Sequence, residues 1–184
     1  MNQVTEMLRL TPGASIENAI ARLSSLFDMM DAAPGFQTSE ILRNQGDPDL
    51  LLVLHAWDDI TDWQSFQTSD AKVAFSAGRP AALYSFVPCG MNWSTDEPGP
   101  LPQDGAFLHR EVVRGAQSPA TGAGVVSSHV LTYQDNEATY LGATQRFTRH
   151  DAAPTVSPAL DDTVIADEVY ESVHKHARAR SATA

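Results

Sequence analysis

The segment Leu50–Trp57 restricts the possible folds of this chain more than any other segment does. It reads LLLVLHAW, an almost continuous apolar run that directly follows the turn residues Gly46-Asp47-Pro48-Asp49. A run of this length without helical periodicity predicts a central strand that is buried on both faces. The turn joins it to the strand-like residues 36–43, so the two segments are predicted to form an antiparallel hairpin.

Helical periodicity flanks this hairpin on both sides. Residues 15–30 carry apolar side chains at steps of three and four, and Ser15 is the predicted N-cap. A second helix is predicted to begin at Asp58-Asp59 or Thr61, with an inner face formed by Trp63, Phe66, Val73 and Ala77. With strands over 7–10 and 81–87, the order is β-α-β-β-α-β, which is the ferredoxin-like arrangement.

The composition changes at residues 94–105, which are rich in proline and glycine. We therefore predict a ferredoxin-like domain over 1–93, a linker over 94–105 and a second part over 106–184. The second part has strand-like runs at 106–113, 125–133 and 139–148, and the apolar spacing within 161–180 predicts a terminal helix. We expect an α+β fold whose second part extends the sheet as a degenerate half.

Charge and composition exclude several classes of function. The net charge of -11 argues against binding to a phosphate backbone, so no nucleic-acid partner is expected. The single cysteine, Cys89, cannot form an intrachain disulfide, and the N-terminus lacks the pattern of a signal peptide. No apolar stretch approaches the roughly 20 residues of a membrane span, so we expect a cytoplasmic protein without a membrane partner.

Four short motifs in the first half together resemble one known family. They are Leu10-Thr11-Pro12-Gly13, Pro34-Gly35-Phe36, Leu54-His55-Ala56-Trp57 and Trp63-x-x-Phe66-x-x-Ser69-Asp70. Their order and spacing resemble the antibiotic biosynthesis monooxygenase family, within the dimeric α/β-barrel superfamily, over residues 5–93. The resemblance implies a homodimer of ferredoxin-like protomers, with a pocket between each sheet and its helices.

The resemblance also implies several activities. These are cofactor-free oxygenation of an anthrone-like or quinol-like aromatic in polyketide or antibiotic biosynthesis, degradation of haem, and simple binding of a small molecule. Members of the haem-degrading branch carry Asn, Trp and His at positions that align with Glu6, Phe66 and Ser76 here, so haem turnover by that route is disfavoured. We predict no cofactor, with a haem-binding protein, a non-oxidative polyketide cyclase and a binding module as alternatives.

Cofactor-free oxygenation needs a base, polar groups that hold an anion and a dry aromatic pocket, with O2 and the aromatic molecule as the only partners. The candidate catalytic residues are His55 as the base, Glu6 as a second base and Arg43 as the oxyanion partner. The candidate substrate-binding residues are Trp57, Trp63, Phe66 and Tyr84. Each has a structural alternative, because His55 can be a hydrogen-bonded core residue, the aromatic residues can pack the core, and Arg43 can be a solvated surface residue.

The histidines of the second half offer no recognisable metal motif. His174 and His176 are two residues apart, which is the wrong spacing for ligands on one helix. Nothing in the spacing of His109, His129 and His150 favours a shared ion, so no metal is predicted.

Overall fold

The structure is a computed structural model that describes residues 1–78, 83–96, 101–135, 137–155 and 163–178. Three helices and nine strands are present in these ranges. In chain order they are β1 (Asn2–Leu10), α1 (Ile16–Met30), β2 (Phe36–Asn44), β3 (Leu50–Trp57), α2 (Ile60–Gln67), α3 (Asp70–Ala77), β4 (Tyr84–Val87), β5 (Asn92–Ser94), β6 (Phe107–Arg114), β7 (Val125–Tyr133), β8 (Ala143–His150) and β9 (Val164–Ala177).

The helices begin at the caps that the sequence indicates. Ser15 Oγ accepts a hydrogen bond from the backbone N–H of Asn18 at 3.2 Å, and Asp59 caps α2 in the same way. The predicted second helix is split, because Ser69 caps a new helix, α3, two residues after α2 ends. Val73 on α3 is 57% exposed, so its predicted place on an inner face is wrong. None of the helices in the described ranges has the length and apolar character needed to cross a membrane.

The strands form one sheet that closes on itself. β1 pairs antiparallel with β3 along its whole length, and the sheet continues in the order β3-β2-β9-β6-β8-β7-β5 before it returns to β1. β4 pairs with the C-terminal half of β1, next to the shorter β5. Eight strands therefore form a closed barrel, in which β1 joins β3 on one side to β5 on the other.

The α+β class is confirmed, and the order of elements from β1 to β4 is the predicted one apart from the split helix. The sheet does not remain an open four-stranded layer, because β5 to β9 complete the barrel within the same chain. The family resemblance implies a homodimer whose partner covers the sheet, whereas here β5 to β9 of the same chain cover the inner face of β1 to β3. The oligomeric state and the division at 94–105 remain predictions.

The predicted terminal helix over 161–180 is wrong in the described part of that segment, which forms strand β9. β9 is inserted between β2 and β6 and pairs with both. The side chains of Glu168 and Tyr170 on β9 hydrogen-bond to each other inside the barrel, and Glu168 also accepts from Arg110. Because polar groups thus lie on the inner face, β9 lacks the alternation of apolar and polar residues that predicts a strand. The helical preference of this segment is weak, and the backbone hydrogen bonds that β9 forms with strands on both sides contribute more free energy than that preference.

Two apolar cores lie on opposite sides of the first strands. One core fills the layer between the helices and the outer face of β1 to β3, and includes Val4, Leu8, Phe27, Ile41, Val53 and Trp57. The other core fills the barrel and includes Met7, Leu52, Trp93, Leu108, Phe147 and Tyr170. This arrangement explains the continuous apolar run in β3, because alternate residues of the strand face different cores.

The barrel interior also contains charged side chains that are paired with one another. Arg149 forms a two-pronged ion pair with Glu40, with Nη1 3.0 Å from Oε1, and both side chains are almost fully buried. Arg110 donates to Gln145, Glu168 and the carbonyl of Cys89 at 2.7, 2.9 and 2.8 Å. The pairing satisfies charges that would otherwise be very costly to bury.

Gly90 has a backbone conformation and surroundings that exclude a side chain. Its φ angle is +66°, and a Cβ atom there would lie 2.9 Å from Cγ of Tyr140 and 3.1 Å from Trp93. We expect Gly90→Ala to lower the free energy of unfolding by roughly 2–4 kcal/mol, from backbone strain plus overpacking. Gly13→Ala is the control, because its φ is +82° but nothing lies within 4 Å of the new Cβ. Equal losses in urea unfolding would contradict this account.

His174 on β9 makes the packing of α1 sensitive to pH. Its Nε2 lies 3.2 Å from Ser24 Oγ on α1, and its ring stacks on Phe27. Burial first, and then His176, lower the pKa of His174 below 6.5, while Asp28 opposes the shift.

The unfolded chain therefore binds more protons as the pH falls below about 6.5, and folding stability decreases in that window. We expect the fall in the thermal midpoint between pH 7.5 and pH 5.5 to be smaller in His174→Gln than in the wild type. An equal fall in both proteins would show that His174 does not carry this dependence. Burial also lowers the pKa of His150, so His150→Gln is measured in parallel to separate its contribution.

Candidate functional site

A large cavity lies between the outer face of the barrel and the helices, and we name it the helix-side cavity. Its volume is about 440 Å³, within the range of sites for small organic ligands. By contrast, the void inside the barrel near Leu101, Pro102 and Gln103 has a volume of only about 10 Å³. The described lining of the helix-side cavity consists of Glu6, Leu8, Leu23, Leu26, Trp63, Gln67, Lys72, Phe75, Ser76, Tyr84, Phe86 and Met91.

Glu6 is the only carboxylate in this described lining. It lies on the face of β1 that also carries Val4 and Leu8, so an acidic side chain interrupts an apolar row. Its side chain is 9% exposed, and it also lines an adjoining cavity of about 250 Å³. A largely buried carboxylate with access to a ligand-sized cavity is suited to proton transfer.

His55 lies directly behind Glu6 and is fully buried. Its Nε2 is 3.9 Å from Oε2 of Glu6, and its Nδ1 is 2.7 Å from Oγ of Ser39. The ring of Phe27 packs edge-on against the imidazole, with centroids 5.4 Å apart. Thus His55 does not line the cavity but contacts a residue that does. The three side chains form the row Glu6, His55 and Ser39.

The helical wall of the cavity is provided by side chains of α2 and α3. Trp63 and Gln67 are four residues apart on α2 and therefore lie on the same side of that helix. Trp63 Nε1 and Gln67 Nε2 are buried and have no hydrogen-bond partner among the described residues. The guanidinium of Arg22 lies over the ring of Phe75 on α3, with Cζ 3.6 Å from the ring centroid.

The structure separates the predicted site residues into two groups. Glu6, Trp63 and Tyr84 all line the helix-side cavity, with His55 behind Glu6. The other three lie elsewhere. Trp57 is fully buried against Phe36 and Phe66. Phe66 lines a separate cavity of about 370 Å³. Arg43 lies at the hairpin turn, where its Nε donates to the carbonyl of Pro48 at 2.8 Å.

Several lining residues were not among the predicted site residues. Gln67 follows Trp63 by one helical turn, so the spacing alone could have indicated that it shares the same wall. Phe75 and Ser76 lie on α3, beyond the break at Thr68-Ser69 that divides the predicted second helix. Glu6 and Ser76, two of the positions at which the chain departs from the haem-degrading branch, line the same cavity.

His109, His129 and His150 do not converge on one site. His129 lines the void inside the barrel, whereas His109 and His150 lie on strands β6 and β8, away from that void. His109 instead lies 2.6 Å from Asp167 and 3.8 Å from Glu111, and Glu111 is also paired with Arg146. No histidine or cysteine is present in the described lining of the helix-side cavity, so haem would find no ligand of either type there.

Cys89 lines the smaller adjoining cavity but is a poor nucleophile. Burial raises the pKa of its thiol to about 11, and its Sγ donates to the carbonyl of Thr5 at 3.3 Å. The thiol therefore stays protonated near neutral pH.

Comparison with known proteins places the first half of the chain in a family context. The family model of antibiotic biosynthesis monooxygenases matches residues 3–78, the part that carries Glu6, His55 and Trp63. Residues 3–78 match this family. We refer to them as the ABM segment. It includes α1 to α3 and β1 to β3, and thus most of the helix-side cavity.

Solved structures resemble the whole chain and not just the ABM segment. A crystal structure of an anthrone oxidase-like protein has a TM-score of 0.57 and 12% identity, and the match covers 100% of this chain and 96% of that one. A Fusobacterium nucleatum subsp. nucleatum protein that bears the name of a monooxygenase has a TM-score of 0.53 and 7% identity, with 96% and 94% covered. Identity this low supports the shared fold alone. No curated protein sequence matches the chain.

Proposed function

We propose that the protein is a cofactor-independent monooxygenase that acts on a flat, electron-rich aromatic of anthrone or quinol type. The observation that carries this proposal is Glu6, a carboxylate in the wall of an otherwise largely apolar and aromatic cavity, with the buried His55 behind it. The match of the ABM segment supports a monooxygenase type of chemistry. From the same match, we propose a role in polyketide or antibiotic biosynthesis.

Glu6 is the proposed base. With anthrone as the substrate, its carboxylate removes a proton from the methylene carbon, and the negative charge is delocalised onto the carbonyl oxygen. The resulting carbanion reduces O2, a C–O bond forms at the former methylene carbon, and the proton returns to give a hydroperoxide. Loss of water then yields anthraquinone, so one anthrone and one O2 give one anthraquinone and one water.

His55 is proposed to position Glu6 and not to contact the substrate. If Ser39 Oγ–H donates to Nδ1, the imidazole carries its own proton on Nε2, which faces the Glu6 carboxylate. The separation of 3.9 Å is too long for a hydrogen bond, but a small rotation of the Glu6 side chain would form one. Such a contact would hold the carboxylate towards the cavity.

The aromatic side chains provide the proposed binding surface. Trp63, Phe75 and Tyr84 line the cavity and offer flat faces to a polycyclic ligand. Phe86 and Met91 are 50% and 36% exposed, so an apolar substrate can reach the cavity across them. Apolar walls also exclude water, which protects a carbanion from being reprotonated.

The experiment that tests this function combines an oxygen electrode with absorbance detection of anthraquinone. Protein that has been treated with EDTA is mixed with anthrone in air-saturated buffer, and the rates are compared with those of heat-denatured protein, because anthrone oxidises spontaneously. We expect matched O2 uptake and quinone formation well above that background. No acceleration with anthrone or with a naphthalene hydroquinone would contradict the proposal. Binding without turnover would favour a binding module, and product without O2 uptake would favour a cyclase.

A further inference from the structure

We propose that Trp63 and Gln67 form an oxyanion hole for the carbonyl oxygen of the substrate, on the helical wall of the cavity that also contains Glu6. This inference rests on the proposed function and assigns a group that the reaction requires. Deprotonation of an anthrone places negative charge on its carbonyl oxygen, and donors aimed at that oxygen lower the barrier. Arg43, which the sequence suggested for this role, lies at the hairpin turn and does not line the cavity.

Both donors lack a partner in the unliganded cavity. Trp63 Nε1 and Gln67 Nε2 are buried, and neither has a hydrogen-bond partner among the described residues. A buried N–H that is left unpaired costs free energy, and most such groups in proteins find a partner. Because both residues line the cavity, a small rotation of each side chain would bring its unpaired donor to an acceptor that arrives with the ligand.

The placement of the two residues matches the shape of the proposed substrate. Trp63 and Gln67 are at positions i and i+4 of α2, so they can converge on one oxygen atom. Glu6 lies on β1, which forms a different wall of the same cavity. In an anthrone the carbonyl and the methylene group are at opposite ends of the central ring. A ligand that spans the cavity would present one group to each wall.

The test compares two ligands that differ in the carbonyl oxygen. Anthrone and 9,10-dihydroanthracene share the tricyclic skeleton, and binding of each is measured without oxygen by fluorescence or calorimetry. We expect the wild type to prefer anthrone by about tenfold or more, the effect of one to two hydrogen bonds. The double variant Trp63→Phe with Gln67→Leu should lower this ratio towards one, and the ratio cancels any loss of aromatic stacking that the two ligands share.

Gln64→Leu is the matched control, because Gln64 lies on the same helix but is exposed. Its ligand preference should equal that of the wild type. If the double variant does not fold, the single variant Gln67→Met, which is close to glutamine in size, gives the same comparison. A ratio that stays unchanged in the folded variant, or a wild type that binds both ligands equally, would overturn the oxyanion hole.

Turnover is measured separately, so that the two proposals can fail separately. An unchanged ligand ratio together with rapid oxidation of anthrone would refute the oxyanion hole and leave the oxygenase standing. A loss of preference in the variants together with no oxidation by the wild type would support the donor pair and refute the oxygenase. Binding of neither ligand by the wild type would refute both.

Discussion

Glu6→Gln should lower kcat/KM for anthrone by roughly 10²–10⁴-fold, which is the usual contribution of a positioned general base. Glutamine keeps the size of the side chain but cannot accept the proton, so binding of the aromatic skeleton should change little. The rates are measured as O2 uptake and as formation of anthraquinone, after subtraction of spontaneous oxidation. The loss should fall on kcat and not on KM, because the proton transfer belongs to the chemical step.

Glu17→Gln is the matched control for this variant. Glu17 is an exposed carboxylate in the first turn of α1 and does not line the helix-side cavity. Its removal should leave the rate within about twofold of the wild type. Thermal unfolding of both variants establishes that they are folded. A folded Glu6→Gln protein with at least a third of the wild-type rate would show that Glu6 is not the base.

Arg149→Met should lower the free energy of unfolding by about 3–5 kcal/mol, the largest effect on stability that we expect from one substitution in this chain. Arg149 is 5% exposed, and its partner Glu40 is fully buried inside the barrel. Removing the guanidinium leaves an uncompensated carboxylate away from water, and this penalty exceeds the loss of a typical hydrogen bond. The measurement is equilibrium unfolding in urea, monitored by tryptophan fluorescence.

The double variant Glu40→Leu with Arg149→Met separates the cost of the orphaned charge from the value of the pair. Because both charges are then absent, we expect the double variant to recover most of the lost stability. Arg9→Met is the surface control, since Arg9 pairs with Asp47 while both side chains are more than 40% exposed, and it should cost less than about 1 kcal/mol. A double variant as unstable as Arg149→Met would mean that Arg149 contributes mainly by packing.

The local pattern of the first half was sufficient to predict its elements. Ser15 and Asp59 cap helices where the polar and apolar pattern indicated, and β3 has the predicted bounds, Leu50–Trp57. These features depend on contacts within a few residues, which the order of residue types contains directly. The motifs around His55 and Trp63 also indicated the family that residues 3–78 match.

The identity of the site depended more strongly on the fold. Glu6 and His55 are 49 positions apart, and they meet because β1 and β3 pair antiparallel, with Val4 opposite His55 and Glu6 opposite Val53. The sequence predicts His55 as the base and Glu6 as a second base, but the apolar run on both faces of β3 does not indicate which face of that strand meets the cavity. Only the placement of α1 over one face showed that His55 is enclosed while Glu6 reaches the cavity.

The amino-acid sequence by itself therefore determined the caps, the hairpin, the order of elements up to β4 and the kind of chemistry to be tested. The tertiary structure alone decided the closure of the barrel, the strand conformation of β9 and the presence of Glu6, and not of His55 or Arg43, in the lining of the helix-side cavity. The physical reason is that propensities and caps act over a few residues and contribute about 1 kcal/mol each. By contrast, pairing and burial join distant segments and outweigh those local preferences when they are summed over an entire strand.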